Sequence, residues 1–218
     1  MARIALEFGP ADLARVVELH KEAFDEGLLA GQREETSNKA GDHMATRDGE
    51  LQNRIIREAS TIIDGIRSRE PMELIVYRLG LVSHLVSDAN NPFLTYESSR
   101  LGTRRADFEA YVLRRSHRYR PVFYGIERPY DPRGTVARAV RRSSQYGPLL
   151  DREYFRGDQV RSSSSFDDRS TAFAVGSLSY SHSISDLINL YYTIWSRVGG
   201  DVRGASRLKP GQLSIQED

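Results

Sequence analysis

The segment from Met72 to Ser87 constrains the fold more than any other part of this sequence, because it is apolar on nearly every side of a helix. The residues Asn90-Asn91-Pro92 end it, since a proline pushes the preceding residue out of the helical region. A helix that is apolar all round lies at the buried centre of a bundle. We therefore expect an all-α fold built around this helix.

Apolar residues recur at helical spacing in several other segments, and each such segment predicts a helix with one face packed on the core. These predicted helices cover residues 10–28, 50–67, 104–119 and 171–198. Residues 31–48 and most of 121–170 are rich in polar residues, glycine or proline, which is typical of loops. A short helical piece is expected near residues 135–142.

Together these assignments predict a single α-helical domain over residues 1–200, since 218 residues suit one domain. A long loop-rich insertion occupies about 95–170, and a loose polar tail covers 201–218. No segment alternates between apolar and polar residues strongly enough to predict a sheet. The predicted fold class is an all-α helix bundle with one long insertion.

The sequence contains no cysteine. This excludes disulfides, zinc–thiolate sites and cysteine nucleophiles together. Any bound metal ion must therefore be held by histidine, aspartate and glutamate.

No apolar run is long enough to cross a bilayer, so we expect no transmembrane segment. The first residues lack the long apolar core of a signal peptide. As it stands the sequence predicts a cytoplasmic protein, whereas removal of an export signal would make it secreted or periplasmic. The sequence does not indicate an oligomeric state.

The net charge of +1 conceals an uneven distribution of charge. Residues 100–161 contain 15 arginines and no lysine against 7 acidic residues, whereas residues 1–99 contain 11 basic and 17 acidic residues. Guanidinium groups bind phosphate in a planar, bidentate geometry, so the arginine-rich segment suits an anionic ligand. The alternative is a solvated basic surface that pairs with the acidic N-terminal part.

Two histidines are each followed four residues later by an aspartate, as His84/Asp88 and His182/Asp186. Positions i and i+4 share one face of a helix, so imidazole and carboxylate can bind one metal ion. Asp88 lies in the most apolar helix, where an unpaired carboxylate would be costly. Each pair could instead be a buried His–Asp hydrogen bond that joins two helices. Because both pairs lie on the two most hydrophobic helices, we favour metal binding.

The first pair also carries a family resemblance. Residues 79–93 read Leu-Gly-Leu-Val-Ser-His-Leu-Val-Ser-Asp-Ala-Asn-Asn-Pro-Phe, which resembles the helix signature of the zinc-dependent phospholipase C and single-strand-specific nuclease superfamily. The string Ser-His-Ser-Ile-Ser-Asp at 181–186 resembles the later His-x-x-x-Glu/Asp helix of that family. The resemblance implies an all-α fold with a three-zinc cluster that hydrolyses phosphodiester bonds.

By this resemblance His84 and Asp88 are zinc ligands, with Asp88 able to bridge two ions, and His182 and Asp186 hold another zinc. An earlier histidine and aspartate complete the first site in the family, and His43 is the natural candidate for the histidine. The two candidates for the aspartate, as ligand or base, are Asp25 and Asp42, and the family's spacing favours Asp25.

The chain also departs from the family pattern. Leu94 stands in the region past Pro92 where members carry a further histidine. The region around Phe8 lacks both the N-terminal tryptophan and the histidine that follows it in the family. We therefore expect one or two zinc ions rather than three.

His117 lies among arginines, within residues 114–120. That positive charge disfavours a bound cation and suits contact with a phosphate group, so His117, Arg118 and Arg120 are predicted to bind substrate. The leading hypothesis is a zinc-dependent hydrolase of phosphodiester bonds, acting on a phospholipid headgroup or a nucleic acid. The rival hypothesis is a catalytically degenerate protein of the same fold that acts as a binding module through its arginine-rich insertion.

Overall fold

The computed structural model describes residues 1–35, 50–127 and 131–214, and within these ranges α-helices dominate. The α-helices are α1 (Ala2–Phe8), α2 (Ala11–Leu19), α3 (Lys21–Glu35), α4 (Glu50–Arg67), α5 (Met72–Ala89), α6 (Pro92–Thr95), α7 (Ser99–Gly102), α8 (Arg105–Arg115), α9 (Pro132–Ser144), α10 (Gly147–Tyr154) and α11 (Thr171–Arg197). Two antiparallel strand pairs complete the fold: β1 (Val122–Phe123) with β4 (Gly211–Gln212), and β2 (Phe155–Arg156) with β3 (Gln159–Val160). The prediction of an all-α helix bundle is confirmed.

The apolar segment is helix α5, and it lies at the centre as expected. Eleven of its side chains or glycines are buried, including Ile75, Leu79 and Val82. Helices α3, α4, α9 and α11 all contact it. The amphipathic helix α4 buries Leu51, Ile55 and Ile62 against the same core, so the helical spacing of its apolar residues is explained by this contact.

Two glycines allow α3 and α5 to cross at close range. A Cβ atom placed on Gly27 would lie 2.0 Å from the carbonyl oxygen of Tyr77, and one on Gly80 would lie 2.1 Å from the carbonyl oxygen of Phe24. No larger residue fits at either position without separating the two backbones. The crossing fixes how the C-terminal end of α3 meets the side chains of α5.

The insertion is more helical than the sequence indicates. Residues 121–170 were expected to be mostly loop, but they contain α9 and α10 as well as a short 3-10 helix. The carboxylate of Asp131 accepts hydrogen bonds from the amides of Arg133 and Gly134, and Pro132 occupies the first turn, so α9 has a strong N-terminal start. Helices from the insertion enclose a second apolar cluster, whose buried members are Phe93, Leu101, Phe108, Tyr111, Leu150, Tyr154, Phe166, Ala172 and Val175.

The segment after Asp201 was expected to be loose, and this expectation is wrong for its described part. Strand β4 pairs with β1, and the amide of Leu213 donates to the carbonyl oxygen of Pro121 at 2.9 Å. Leu213 is buried in the main core. The buried leucine and the strand pairing together hold residues 211–213 against the bundle.

Many arginines of the arginine-rich segment form ion pairs with carboxylates of the same chain. The arginines of residues 100–161 that lie within ion-pair distance of a carboxylate are Arg100, Arg105, Arg115, Arg118, Arg138, Arg142 and Arg161. Within the parts of the chain that the structure describes, Arg105 is the one of these seven with an ion-pair partner in the acidic N-terminal part, which is Glu35. Six of these seven arginines have a partner within residues 100–170, so their ion pairs help to hold the insertion together.

Within the described ranges, no helix combines the length and the apolar character that crossing a membrane requires.

Candidate metal centre

The side chains of Glu35, His84 and Asp88 meet at the junction of α3 and α5. Nε2 of His84 lies 3.5 Å from Oε2 of Glu35 and 3.4 Å from Oδ2 of Asp88. One ligand atom from each of the three residues lies within 4.8 Å of the other two. Three donors this close, one nitrogen and two carboxylate oxygens, match the ligand types and the spacing of a divalent metal site.

Helix geometry brings two of these groups together, and a glycine on α3 leaves space for the imidazole. His84 and Asp88 are one turn apart on α5, so they share a face. Glu35 is the last residue of α3. A Cβ atom on Gly31 would lie 2.6 Å from two atoms of the His84 ring, so this glycine leaves the space in which the imidazole lies.

The cluster is largely removed from water. The side chains of Glu35, His84 and Asp88 are 9%, 17% and 6% exposed. Burial raises the pKa of Asp88 to about 7, nearby Glu109 adds to the rise, and His84 and Arg54 oppose it. Buried groups whose pKa values are strongly shifted cluster at functional sites, which makes this group a candidate site.

An open cleft of about 640 Å³ adjoins the cluster. Glu35, His84 and Asp88 all line it. Much of the remaining wall is apolar and comes from α8 and the neighbouring helices, and the lining residues of this kind include Leu28, Pro92, Phe108, Val112 and Leu113. Polar groups from α11 complete the wall at Ser179, Tyr180 and Ser183. The metal-ligand cluster is therefore open to a molecule of substrate size.

The second predicted pair, His182 and Asp186, is engaged elsewhere. A carboxylate oxygen of Asp186 accepts hydrogen bonds from Arg142 and from the side chain of Asn90, each at 2.9 Å. The ring of His182 stacks on Tyr124 with 4.3 Å between centroids. Burial, assisted by Arg142, lowers the pKa of His182 to about 4, while burial raises the pKa of Asp186.

These contacts do not join His182 and Asp186 to the first pair. Among the residues that the structure describes, Glu35, His84 and Asp88 form the one group of three ligand side chains within metal-binding distance. The Arg142 guanidinium pairs with Oδ2 of Asp186 at 2.9 Å, so this carboxylate already has a cationic partner. For the zinc that the resemblance assigns to His182 and Asp186, the described residues offer no third ligand side chain within metal-binding distance of both.

The other predicted ligand or base residues are Asp25, Asp42 and His43. Asp25 accepts two hydrogen bonds from Arg3, at 2.6 and 2.8 Å, and is exposed. His43 and Asp42 lie outside the described residues.

The predicted substrate-binding residues lie on or just after the short 3-10 helix at 116–118. His117 and Arg120 are exposed to solvent, and Arg118 pairs with Asp168. Ser116 lines the cleft. None of the three contacts the ligand cluster in the described contacts, so their role in binding substrate stays a prediction.

Sequence reasoning missed Glu35. Residues 31–48 were interpreted as a loop because Gly31 and polar residues follow the last apolar position of the predicted helix, whereas α3 continues to Glu35. A signal was present, since Gly27 and Gly31 lie one helical turn apart on the face that meets α5. Glycines spaced one turn apart are as typical of a close contact between two helices as of the end of a helix.

A scan against protein-family models found no match, and searches of curated proteins and of solved structures likewise found none. The case for a function therefore rests on the residues of the site.

Proposed function

We propose that this protein binds a divalent metal ion, zinc first of all, at Glu35, His84 and Asp88, and hydrolyses phosphodiester bonds in the adjoining cleft. The observation that carries the proposal is the convergence of three ligand atoms within 4.8 Å at the wall of that cleft. The resemblance of residues 79–93 to the zinc-dependent phospholipase C and single-strand-specific nuclease superfamily supports the same chemistry.

The residues fit such an ion. Three protein ligands leave a coordination position open for water or substrate, as catalytic zinc sites require. A bound zinc ion supplies Lewis acidity, which activates water and neutralises charge on a phosphoryl oxygen. One ion is what the described residues accommodate, at the low end of the one or two expected from the sequence.

The protein's own groups provide the surroundings of the reaction. Leu28, Phe108 and Val112 line the cleft and lower the local dielectric, which strengthens electrostatic interactions with a phosphate. Ser87 and Ser183 line the same space and can hydrogen-bond to polar substrate atoms. The cleft thus combines the cluster of candidate metal ligands with an apolar wall.

Metal content tests the first half of the proposal. Protein purified without chelators and incubated with zinc should retain about one equivalent per chain, and His84→Ala should lose it. His117→Ala is the matched control, because it removes an exposed imidazole from a surface helix. Equal zinc content in the two variants would contradict the proposed site.

Hydrolysis tests the second half. The wild-type protein should cleave bis(p-nitrophenyl) phosphate in the presence of zinc, and His84→Ala should abolish that activity. Phospholipid vesicles and single-stranded DNA then serve as separate substrates to distinguish the two substrate classes. Zinc-loaded protein that cleaves none of the three would rule out the hydrolase. The rival function, binding through the arginine-rich insertion, is less favoured because seven of its arginines already pair with carboxylates.

A further inference from the structure

Arg105, the first residue of α8, joins the ligand cluster to the rim of the cleft. Its guanidinium lies against Oε1 of Glu35, the carboxylate oxygen that does not face His84. Its Nε donates to Oε1 of Glu109 at 2.7 Å. One side chain therefore bridges a carboxylate of the cluster and a carboxylate of the cleft wall.

Glu35 benefits from such a partner because it reaches the cluster alone. Asp88 and His84 lie one turn apart on the central helix α5, whereas Glu35 comes from α3. The Glu35 side chain is 9% exposed, so water does little to stabilise its charge.

The positive charge of Arg105 also acts on the site, because a cation beside a metal site repels the metal ion. Glu109 offsets this repulsion, since it lies on the same guanidinium and also lines the cleft. Asn91 donates to the same oxygen of Glu109 at 3.3 Å and helps to keep it there. The Arg105–Glu109 pair therefore has no net charge, which leaves the orientation of Glu35 as its main effect on the site.

We infer that Arg105 is a positioning residue, which holds the carboxylate of Glu35 so that its second oxygen faces His84 and Asp88 and completes the metal site. The inference rests on the proposed metal site. Groups that hydrogen-bond to metal ligands fix ligand orientation, and their loss typically costs about 10- to 100-fold in metal affinity. A loss of that size is expected when Arg105 is replaced by an uncharged residue.

The test compares zinc affinity with thermal stability in Arg105→Gln, Arg105→Lys and Arg161→Gln. Arg161 is the matched control, because it pairs with Glu153 at 2.6 Å with side-chain exposures of 25% and 8%, close to the 29% and 9% of Arg105 and Glu35. Both glutamine variants should melt at a lower temperature in the absence of zinc. Zinc affinity, measured by competition with a chromophoric chelator, should fall about 10- to 100-fold in Arg105→Gln only.

The direction in which zinc affinity changes distinguishes positioning of Glu35 from electrostatic repulsion between Arg105 and the metal ion. If Arg105 acted on the metal only through its charge, Arg105→Gln would bind zinc more tightly and Arg105→Lys would match the wild type. Positioning predicts weaker binding in Arg105→Gln and a smaller loss in Arg105→Lys, which keeps one donor for Glu35. Unchanged or tighter binding by Arg105→Gln overturns the inference and leaves the metal site intact, whereas a wild-type protein that binds no zinc overturns both.

Discussion

Replacing glycines at the crossing of α3 and α5 should lower the stability of the fold, and one of the replacements should also disturb the metal site. In Gly80→Ala the new methyl group would lie 2.1 Å from the carbonyl oxygen of Phe24 and 3.0 Å from the amide nitrogen of Leu28. Both are backbone atoms of the neighbouring helix, so the two helices must move apart by more than 1 Å to restore contacts of about 3.5 Å.

The magnitude follows from two opposing effects. Overpacking of this kind costs roughly 1–3 kcal/mol, and the backbone contact argues for the upper part of that range. Alanine gains up to about 1 kcal/mol over glycine inside a helix. We expect Gly80→Ala to lower the free energy of unfolding by about 2 kcal/mol.

Gly31→Ala should disturb the site as well, because the nearest atoms to its new methyl group belong to the His84 side chain, at 2.6 and 2.7 Å. One of them is Cβ, which cannot turn aside with the ring, so Gly31→Ala should also lower the free energy of unfolding, by roughly 1–3 kcal/mol. Zinc affinity should fall at least about 10-fold, since the ligand nitrogen moves with the ring.

Urea denaturation followed by circular dichroism measures the first effect, and zinc titration measures the second. Gly102→Ala is the control, because nothing lies within 4 Å of a Cβ atom at that position. The reasoning is refuted if Gly80→Ala is as stable as Gly102→Ala, or if Gly31→Ala binds zinc as tightly as the wild type.

Three further predictions concern the residues outside the ligand cluster. The pKa of His182 is about 4 in the folded state and near 6.5 in the unfolded state. The stability that neutral His182 contributes above pH 6.5 should therefore be lost as the pH falls towards 4, and after allowance for solvent screening this loss is about 1 kcal/mol. The raised pKa of Asp88, about 7, changes stability in the opposite direction over this range in both proteins, so the contribution of His182 is the difference between the wild type and His182→Phe, which keeps the stacking on Tyr124. Urea denaturation at pH 7.5 and 5.0 should show the wild type less stabilised by the lower pH than the variant, by that amount. Arg142→Ala leaves the buried Asp186 carboxylate without its cation and should cost about 2–3 kcal/mol by the same assay, with zinc affinity unchanged; a loss of zinc would place this pair in the metal site. Leu213→Ala should lower the free energy of unfolding by about 2 kcal/mol, whereas no change would mean that residues after Asp201 do not dock on the bundle.

The central helices could be predicted because their patterns are strong and local. Helices α4, α5 and α11 begin and end within a few residues of the expected positions, since the apolar spacing of α4, the all-round apolar character of α5 and the glycines after α11 each act within a single segment. The first predicted histidine pair is close in space for the same reason, because the i and i+4 positions of one helix fix it.

The features that were missed depend on contacts between distant segments. Gly27 and Gly31 lower helix propensity when considered alone, yet they are the positions at which α3 meets α5, so Glu35 was left out of the site. The spacing of His182 and Asp186 matches that of the first pair, but Tyr124 and Arg142 of the insertion contact them and no local pattern shows this. Leu213 lies in a mostly polar segment whose few apolar residues follow no clear helical or strand spacing, and its contact with the core depends on the pairing of β4 with β1 of the insertion.

The stoichiometry of zinc binding in the wild type, His84→Ala and His182→Ala tests the central claim most directly, because the two variants remove the same group from the two predicted pairs. Equilibrium dialysis followed by elemental analysis should give about one zinc per chain for the wild type and for His182→Ala, and none above background for His84→Ala. Less than one equivalent in the wild type under excess zinc, or equal loss in both variants, would contradict a metal centre formed by Glu35, His84 and Asp88.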